Sequence, residues 1–230
     1  MKKILAIDTT LGACSAAIVV DGQVLARNKE VRARGHVERL LPMIEDVRLQ
    51  AEITLSDLDF IAVTVGPGTF AGVRVGLSAA KGLGLALDKR LIPVSTMEAL
   101  AYEFCHNDPE YEGHMTVSID ARRNEFYMQD FYVKGGMFES TNNPQAHTFE
   151  VAKKHLEKNT MKVIGSGAKL LLDHTGTELE HFQSPDAYYV GQLGFKKISY
   201  AVSCHEASPL YLRAPDAVKP APFDFVVTDD

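Results

Sequence analysis

The stretch VGPGTFAGVRVG, residues 65–76, closes a short apolar run and opens a long helical pattern. Glycines at such a junction let a backbone approach something closely: a phosphate, a dinucleotide or another protein chain. Gly66-x-Gly68-x-x-Ala71 has the form of a dinucleotide-binding turn. That fingerprint also needs an acidic residue closing the next strand and a crossover after the first one. Asp88 instead precedes the next strand, and residues 3–8 (KILAID) run into a hairpin. No Gly-Lys-Ser/Thr follows Gly66, which excludes a P-loop. A simpler anion site stays open. It would use N–H groups of Gly68 and Thr69 at a helix start, with Asp8, Thr9 and Thr10 placed to hold a hydrated Mg²⁺.

Upstream, residues 3–8 and 14–20 read as strands, and Asp21-Gly22 turns the chain into a third over 23–30. Val37, Leu40, Leu41, Ile44 and Val47 recur at helical spacing over residues 36–51. A strand over 60–65 leads to the glycines, and Thr69 caps a helix reaching about Leu87. A strand over 91–94 and a helix over 97–104 follow. This order, an antiparallel meander and then crossovers, builds a mixed sheet flanked by helices.

From about His114 the pattern recurs. Residues 116–120 (TVSID) end in Ile-Asp as residues 6–8 (AID) do. A return strand over 125–133, a short strand over 137–140 and a helix over 149–158 come next. A strand over 161–165 then meets Gly165-Ser166-Gly167 before a helical segment over 168–174. A duplicated lobe explains both halves. A last helix over 186–202 and a proline-rich tail from Pro209 complete the chain.

In the helix after the glycine loop, Gly72, Gly76 and Ala80 stand at i, i+4 and i+8. Glycine inside a helix costs about 1 kcal/mol relative to alanine, so a smooth face there has a purpose. The neighbour it admits is either part of the chain's own core or a partner subunit. Asp8 and Asp120 end corresponding strands and suit a paired site across a cleft, or simple turns. Cys14 lies inside a strand with no local histidine, and His36 near Glu38 lacks the cysteine pair that a zinc deaminase needs.

Composition narrows the classes. Three cysteines at irregular spacing, with no CxxC or HExxH, encode neither a disulfide framework nor a local metal site. A net charge of −6 argues against a protein that holds nucleic acid alone. The N-terminus MKKILAIDTT lacks the apolar core of a secretory signal, so the expected location is the cytoplasm, with no membrane partner.

At this point the motifs resemble those of a known family. ILAIDTT with its hairpin, GHVERLLPMI, VTVGPGTFAGVRVGLSAAKGLG and IPVSTMEALA resemble the bacterial TsaB (YeaZ) family. SIDARRNEFY and PLYLR extend the likeness over nearly the whole chain. The familiar loop is GPGSFTGVR, from which Thr69 and Ala71 depart mildly. The resemblance implies an α/β chain of the actin/Hsp70/sugar-kinase (ASKHA) fold. Its two RNase H-like lobes would span residues 1–104 and 105–230, the second reduced and ending in an irregular tail.

It also implies a part in forming threonylcarbamoyladenosine at position 37 of tRNAs reading codons that begin with A. The catalytic paralogue, TsaD, holds its metal with His-Met-Glu-Gly-His; here the corresponding residues are Thr96-Met97-Glu98-Ala99-Leu100. Without the imidazoles there is no such metal site, which also removes the old metallopeptidase reading of the family. The chain is therefore expected to be a non-catalytic scaffold for TsaD. Further expected partners are the ATPase TsaE, a second copy of the chain when alone, and tRNA only through the complex. The expected interface uses Leu40, Leu41, Ile44, Val73, Gly76, Leu77 and Ala80. No cofactor is required; a degenerate site at Asp8, Thr9, Thr10, Gly66, Gly68, Thr69 and Asp120 leaves room for weakly held ATP or ADP with Mg²⁺. The alternative is a self-sufficient ATPase or small-molecule kinase built on those same residues.

Overall fold

The computed structural model describes residues 1–32, 34–157, 162–172 and 182–213. The sequence-expected tail beyond 213, the ends of the segments at 158, 161 and 173–174, and the connection into the last helix lie outside the described residues.

Strands β1 (Lys3–Asp8), β2 (Ala13–Val20) and β3 (Gln23–Val31) form the antiparallel meander, turned at Asp21-Gly22. Asp21 and Gly22 both have positive φ, which the two-residue turn demands. Helix α1 (His36–Gln50) returns the chain to β4 (Phe60–Thr64), which lies parallel to β1. Helix α2 (Phe70–Leu87) crosses over to β5 (Arg90–Val94), giving a sheet of order β3-β2-β1-β4-β5. Thr69 caps α2, its hydroxyl accepting from the Gly72 N–H at 3.1 Å. Ser95 caps α3 (Thr96–Asn107) in a reciprocal box with Glu98.

Both faces of this sheet are covered, which is why its strands read as continuous apolar runs. Leu5, Ile7, Ala16, Ile18, Ile61 and Val63 point to one face, under α1 and α2. Ile4, Ala6, Ala17, Val19 and Ala62 point to the other, under α6 (Ala187–Lys196). The segment from α6 onward thus returns to the first sheet, and Val202 pairs with Leu91 beside β5. The sequence grouped this segment with the second lobe; its packing puts it on the first.

The second sheet repeats the scheme. Strands β6 (Gly113–Arg122) and β7 (Glu125–Lys134) are antiparallel, and β10 (Lys162–Ile164) runs parallel to β6. The third strand is split: β8 (Met137–Ser140) pairs with one end of β7 and β9 (Gln145–Thr148) with the other. Strand β9 has no counterpart in the sequence reading, because QAHT carries little β-forming pattern. Among the described residues nothing takes the place of β5, and this lobe is the reduced one. Helix α3 packs Leu100, Phe104 and Cys105 onto β6 and β7, while α4 (Phe149–Glu157) and α5 (Ala168–Leu172) cover Phe126 and Met128 on the opposite face. The two sheets, related by duplication, make the ASKHA arrangement.

Candidate functional site

The glycine loop meets its own chain. The Thr10 carbonyl accepts from the Thr69 N–H at 2.8 Å and from the Thr69 hydroxyl at 3.2 Å. A Cβ on Gly68 would stand 2.5 Å from that carbonyl oxygen. Of the two donors that the anion reading assigned to a phosphate, the Thr69 N–H is therefore used within the fold. Gly66 has a φ of +106° and donates no cradle of its own; its carbonyl accepts from Thr96 N at 2.9 Å.

Asp8 is fully buried. Its Oδ1 accepts from the Thr10 N–H (3.2 Å) and from the hydroxyls of Thr10 and Thr64 (each 2.6 Å), while Oδ2 meets no partner among the described residues. Burial raises its pKa, and the hydroxyl bonds only partly offset that. Thr9 turns its hydroxyl to the Gly72 carbonyl at 2.6 Å. Asp120, by contrast, is exposed and accepts from the Arg122 N–H at 2.7 Å. The strand-end pair thus splits, one carboxyl in the core and one at the surface.

A cleft of about 470 Å³ does bring Gly68, Thr69 and Asp120 together, with Phe70, Arg122 and Tyr211 in its walls. Asp8, Thr9, Thr10 and Gly66 are not among its lining residues. The β6–β7 turn facing it holds Arg122, Arg123 and Asn124 in succession at positive φ, a costly conformation for three non-glycine residues. PLYLR closes the cleft. The Leu210 N–H donates to Val65 O at 2.7 Å, Arg74 Nε donates to the Tyr211 hydroxyl at 2.9 Å, and Arg213 pairs with Glu125 at 2.7 Å. Arg74 also lies 3.4 Å over the Phe70 ring. The motif that looked like an irregular tail is a strap from the first lobe to the second.

The stretch Thr96–Leu100 opens α3. Thr96, Met97 and Leu100 are buried, and Glu98 reaches Lys197 at 2.5 Å and the Ser95 N–H at 3.4 Å. The one acidic side chain of the stretch is thus committed to the chain itself, and these residues do not fit the paralogue's metal. No group of three or more His, Cys, Asp or Glu among the described residues is arranged to hold one. Cys14, Cys105 and Cys204 are free and buried, and burial pushes Cys14 up to about 11. A thiol at that value is a packing group, not a nucleophile. His36 starts α1 and donates from Nε2 to the Arg32 carbonyl at 3.1 Å.

The expected interface needs correction. Leu40, Ile44, Val73, Gly76, Leu77 and Ala80 all face inward; of the seven residues only Leu41 is exposed. Gly72 and Gly76 ride over the β1–β2 loop. A Cβ on Gly76 would stand 2.7 Å from Thr9 Oγ1, and one on Gly72 would collide with the Thr9 carbonyl. The most apolar side of an amphipathic helix turns to its own core, and the periodicity found that side. The outward side carries apolar residues too, between exposed charges at Glu38, Glu45 and Arg74. Val37 is 66% exposed, Leu41 57% and Leu85 61%, with Ala71, Ser78 and Gly82 exposed between them. At Gly82 a Cβ would meet nothing within 4 Å.

The same geometry recurs in known proteins. The family model for tRNA N6-adenosine threonylcarbamoyltransferase, TsaD, matches residues 23–169. The TsaB protein of Haemophilus influenzae, a tRNA threonylcarbamoyladenosine biosynthesis protein, is 30% identical over 226 residues, covering 91% of this chain and 93% of its own. The chain belongs to the TsaB family. Its Escherichia coli relative is 37% identical over 129 residues, covering 56% of this chain and 54% of that protein. The solved structure of YeaZ from Pseudomonas aeruginosa superposes with a TM-score of 0.78 at 27% identity, over 92% of this chain and all of that one. The chain is thus a threonylcarbamoyladenosine biosynthesis protein.

Proposed function

We propose that this TsaB-family chain has no transferase site of its own and acts by binding and supporting TsaD, which modifies adenosine 37 of tRNAs reading codons that begin with A. One observation carries the reading: Val37, Leu41 and Leu85 stay exposed on the outward side of α1 and α2, among the charges Glu38, Glu45 and Arg74, and Gly82 is a helical glycine that nothing among the described residues requires. A glycine kept at a cost of about 1 kcal/mol, beside exposed Leu41 and Leu85, suits a close helix–helix contact. Val37, Leu41, Ala71, Ser78, Gly82 and Leu85 form that contact, with TsaD in the complex and with a second copy when the chain is alone. The commitment of Glu98 to Lys197 and Ser95 supports the absence of a metal-assisted step.

TsaE joins the assembled complex, and tRNA reaches it there, since a chain of net charge −6 is a poor phosphate binder alone. Helix α2 is long and apolar enough to cross a bilayer, but it carries Arg74 and Lys81 and packs one side on the first sheet. That packing supports a cytoplasmic subunit. No nucleotide is required; weak ATP or ADP with Mg²⁺ belongs to the cleft beside Asp120 rather than to Asp8.

Depletion of the protein in cells, followed by mass spectrometry of tRNA nucleosides, tests the role. Threonylcarbamoyladenosine falls if the proposal holds and stays at its normal level if it does not. Mg²⁺-dependent ATP turnover by the isolated chain, lost in Asp8→Asn, would favour the ATPase reading instead.

A further inference from the structure

A second cavity, of about 570 Å³, lies between β3, α3, α6 and β10. Glu103 of α3 lines it, 7% exposed, and its Oε2 meets no hydrogen-bond partner among the described residues. Among the described residues five other charged groups line it: Arg27, Lys29, Asp108, Asp186 and Lys162, whose Nζ lies 5.9 Å from the Phe104 ring centroid. Lys29, from β3, donates to the Ser184 carbonyl at 2.8 Å. Asp186 caps α6 through Oδ1, accepting from the Tyr188 N–H at 2.9 Å, and its Oδ2 lies 4.0 Å from Arg27. Asn107 donates to the Tyr189 hydroxyl at 3.1 Å. Phe104 and Phe182 supply an apolar wall.

A buried acid with an unmet oxygen is costly, and folds rarely keep one without a use. Burial pushes Glu103 up to about 8; Lys29 and Arg27 draw it down, while Asp186 and Asp8 oppose them. At neutral pH the side chain is a neutral acid facing the cavity.

We propose that this cavity binds a small zwitterion, an ammonium group beside a carboxylate, with the ammonium on Glu103 and the carboxylate facing Lys29. The unmet Oε2 asks for a donor. Lys29 has three N–H donors, and Ser184 accepts from one of them. A simple cation would be opposed by Arg27, Lys29 and Lys162, and a simple anion by Asp108 and Asp186. A ligand carrying both signs at amino-acid spacing meets neither obstacle. Docking the ammonium ionises Glu103: its proton leaves to solvent, the ligand keeps its own protons, and an ion pair forms.

The test is calorimetry on the full chain at pH 7, with the common α-amino acids as probes, in two buffers of different ionisation enthalpy. Ethylamine and acetate serve as half-ligands. The expected result is binding of at least one amino acid with release of about 0.9 proton, the fraction that a group of pKa about 8 still holds at pH 7. Each half-ligand binds at least about tenfold more weakly. Glu103→Gln, the neutral isostere, melts no lower than the parent at pH 7 but loses roughly tenfold or more in affinity and all proton release. Lys29→Met weakens binding while the proton release persists. The proposal is overturned if no amino acid binds at millimolar concentration, if a half-ligand binds as well as the zwitterion, or if Glu103→Gln leaves affinity and proton release unchanged.

Discussion

Replacing Gly72 and Gly82 of α2 by alanine, separately, asks which side of the helix is internal. Either change gains about 1 kcal/mol of helix propensity. At Gly82 nothing lies within 4 Å of the new Cβ, so the gain is kept. For a chain of this size that raises the melting temperature by roughly 2–4 °C. At Gly72 the new methyl meets the Thr9 carbonyl and stands 2.5 Å from Thr69 Oγ1. Both partners are held: Thr9 by its bond to Gly72 O, and Thr69 by its bonds to Thr10 O. Overpacking of this kind costs about 1–3 kcal/mol, and backbone contact puts it at the upper end. The net loss is about 1–2 kcal/mol, so the two variants should differ by about 2–3 kcal/mol. Urea denaturation followed by circular dichroism reads both values on purified protein. If Gly72→Ala were as stable as Gly82→Ala, the placement of α2 over the β1–β2 loop would be wrong.

Other consequences follow from the same geometry. Leu41→Glu, an exposed change, should alter stability by less than about 0.5 kcal/mol yet weaken self-association and TsaD binding in analytical ultracentrifugation; equal sedimentation of variant and parent would remove α1 from the interface. Asp8→Ala leaves two threonine hydroxyls and an N–H without their acceptor and should cost roughly 2–4 kcal/mol, whereas Asp8→Asn, which keeps an oxygen there, loses much less. Glu103 has a folded pKa of about 8 against an ordinary 4.5, so the native state holds its proton where the unfolded state has released it. Stability should therefore fall as pH rises between those values, by at most about 1.4 kcal/mol per pH unit, and level off above. Glu103→Gln should flatten that decline, leaving Asp8 to contribute in the same direction; an unchanged slope in pH-dependent urea melts would place the carboxyl in water.

The meander, the Asp21-Gly22 turn, the Thr69 cap and the duplicated order of strands were legible in the sequence. Each depends on contacts within a few residues or on a simple period. The substitution of Thr96 and Leu100 for imidazoles was legible for the same reason, since a ligand type is a property of one position. Six of the seven residues expected at an interface lie on the buried side of their helices. Periodicity ranks faces by apolarity, but it cannot say whether a second, weaker apolar face is left uncovered. Asp8 looked like a ligand because a strand-end aspartate is often exposed; only the closing of Thr69 on Thr10 shows it sealed. Glu103 gave no signal in TMEALAYEFCHN, where an acid at that spacing resembles any solvent-facing helical residue.

The sequence by itself determined most of the strands and helices and their order, β9 and the end of α6 excepted. The tertiary structure alone decided which face of α1 and α2 is free, that α6 and PLYLR return to the first lobe, and that Glu103 is buried. The first set follows from local backbone preference and side-chain type. The second follows from which distant surfaces meet, and burial is a property of the meeting rather than of the residue.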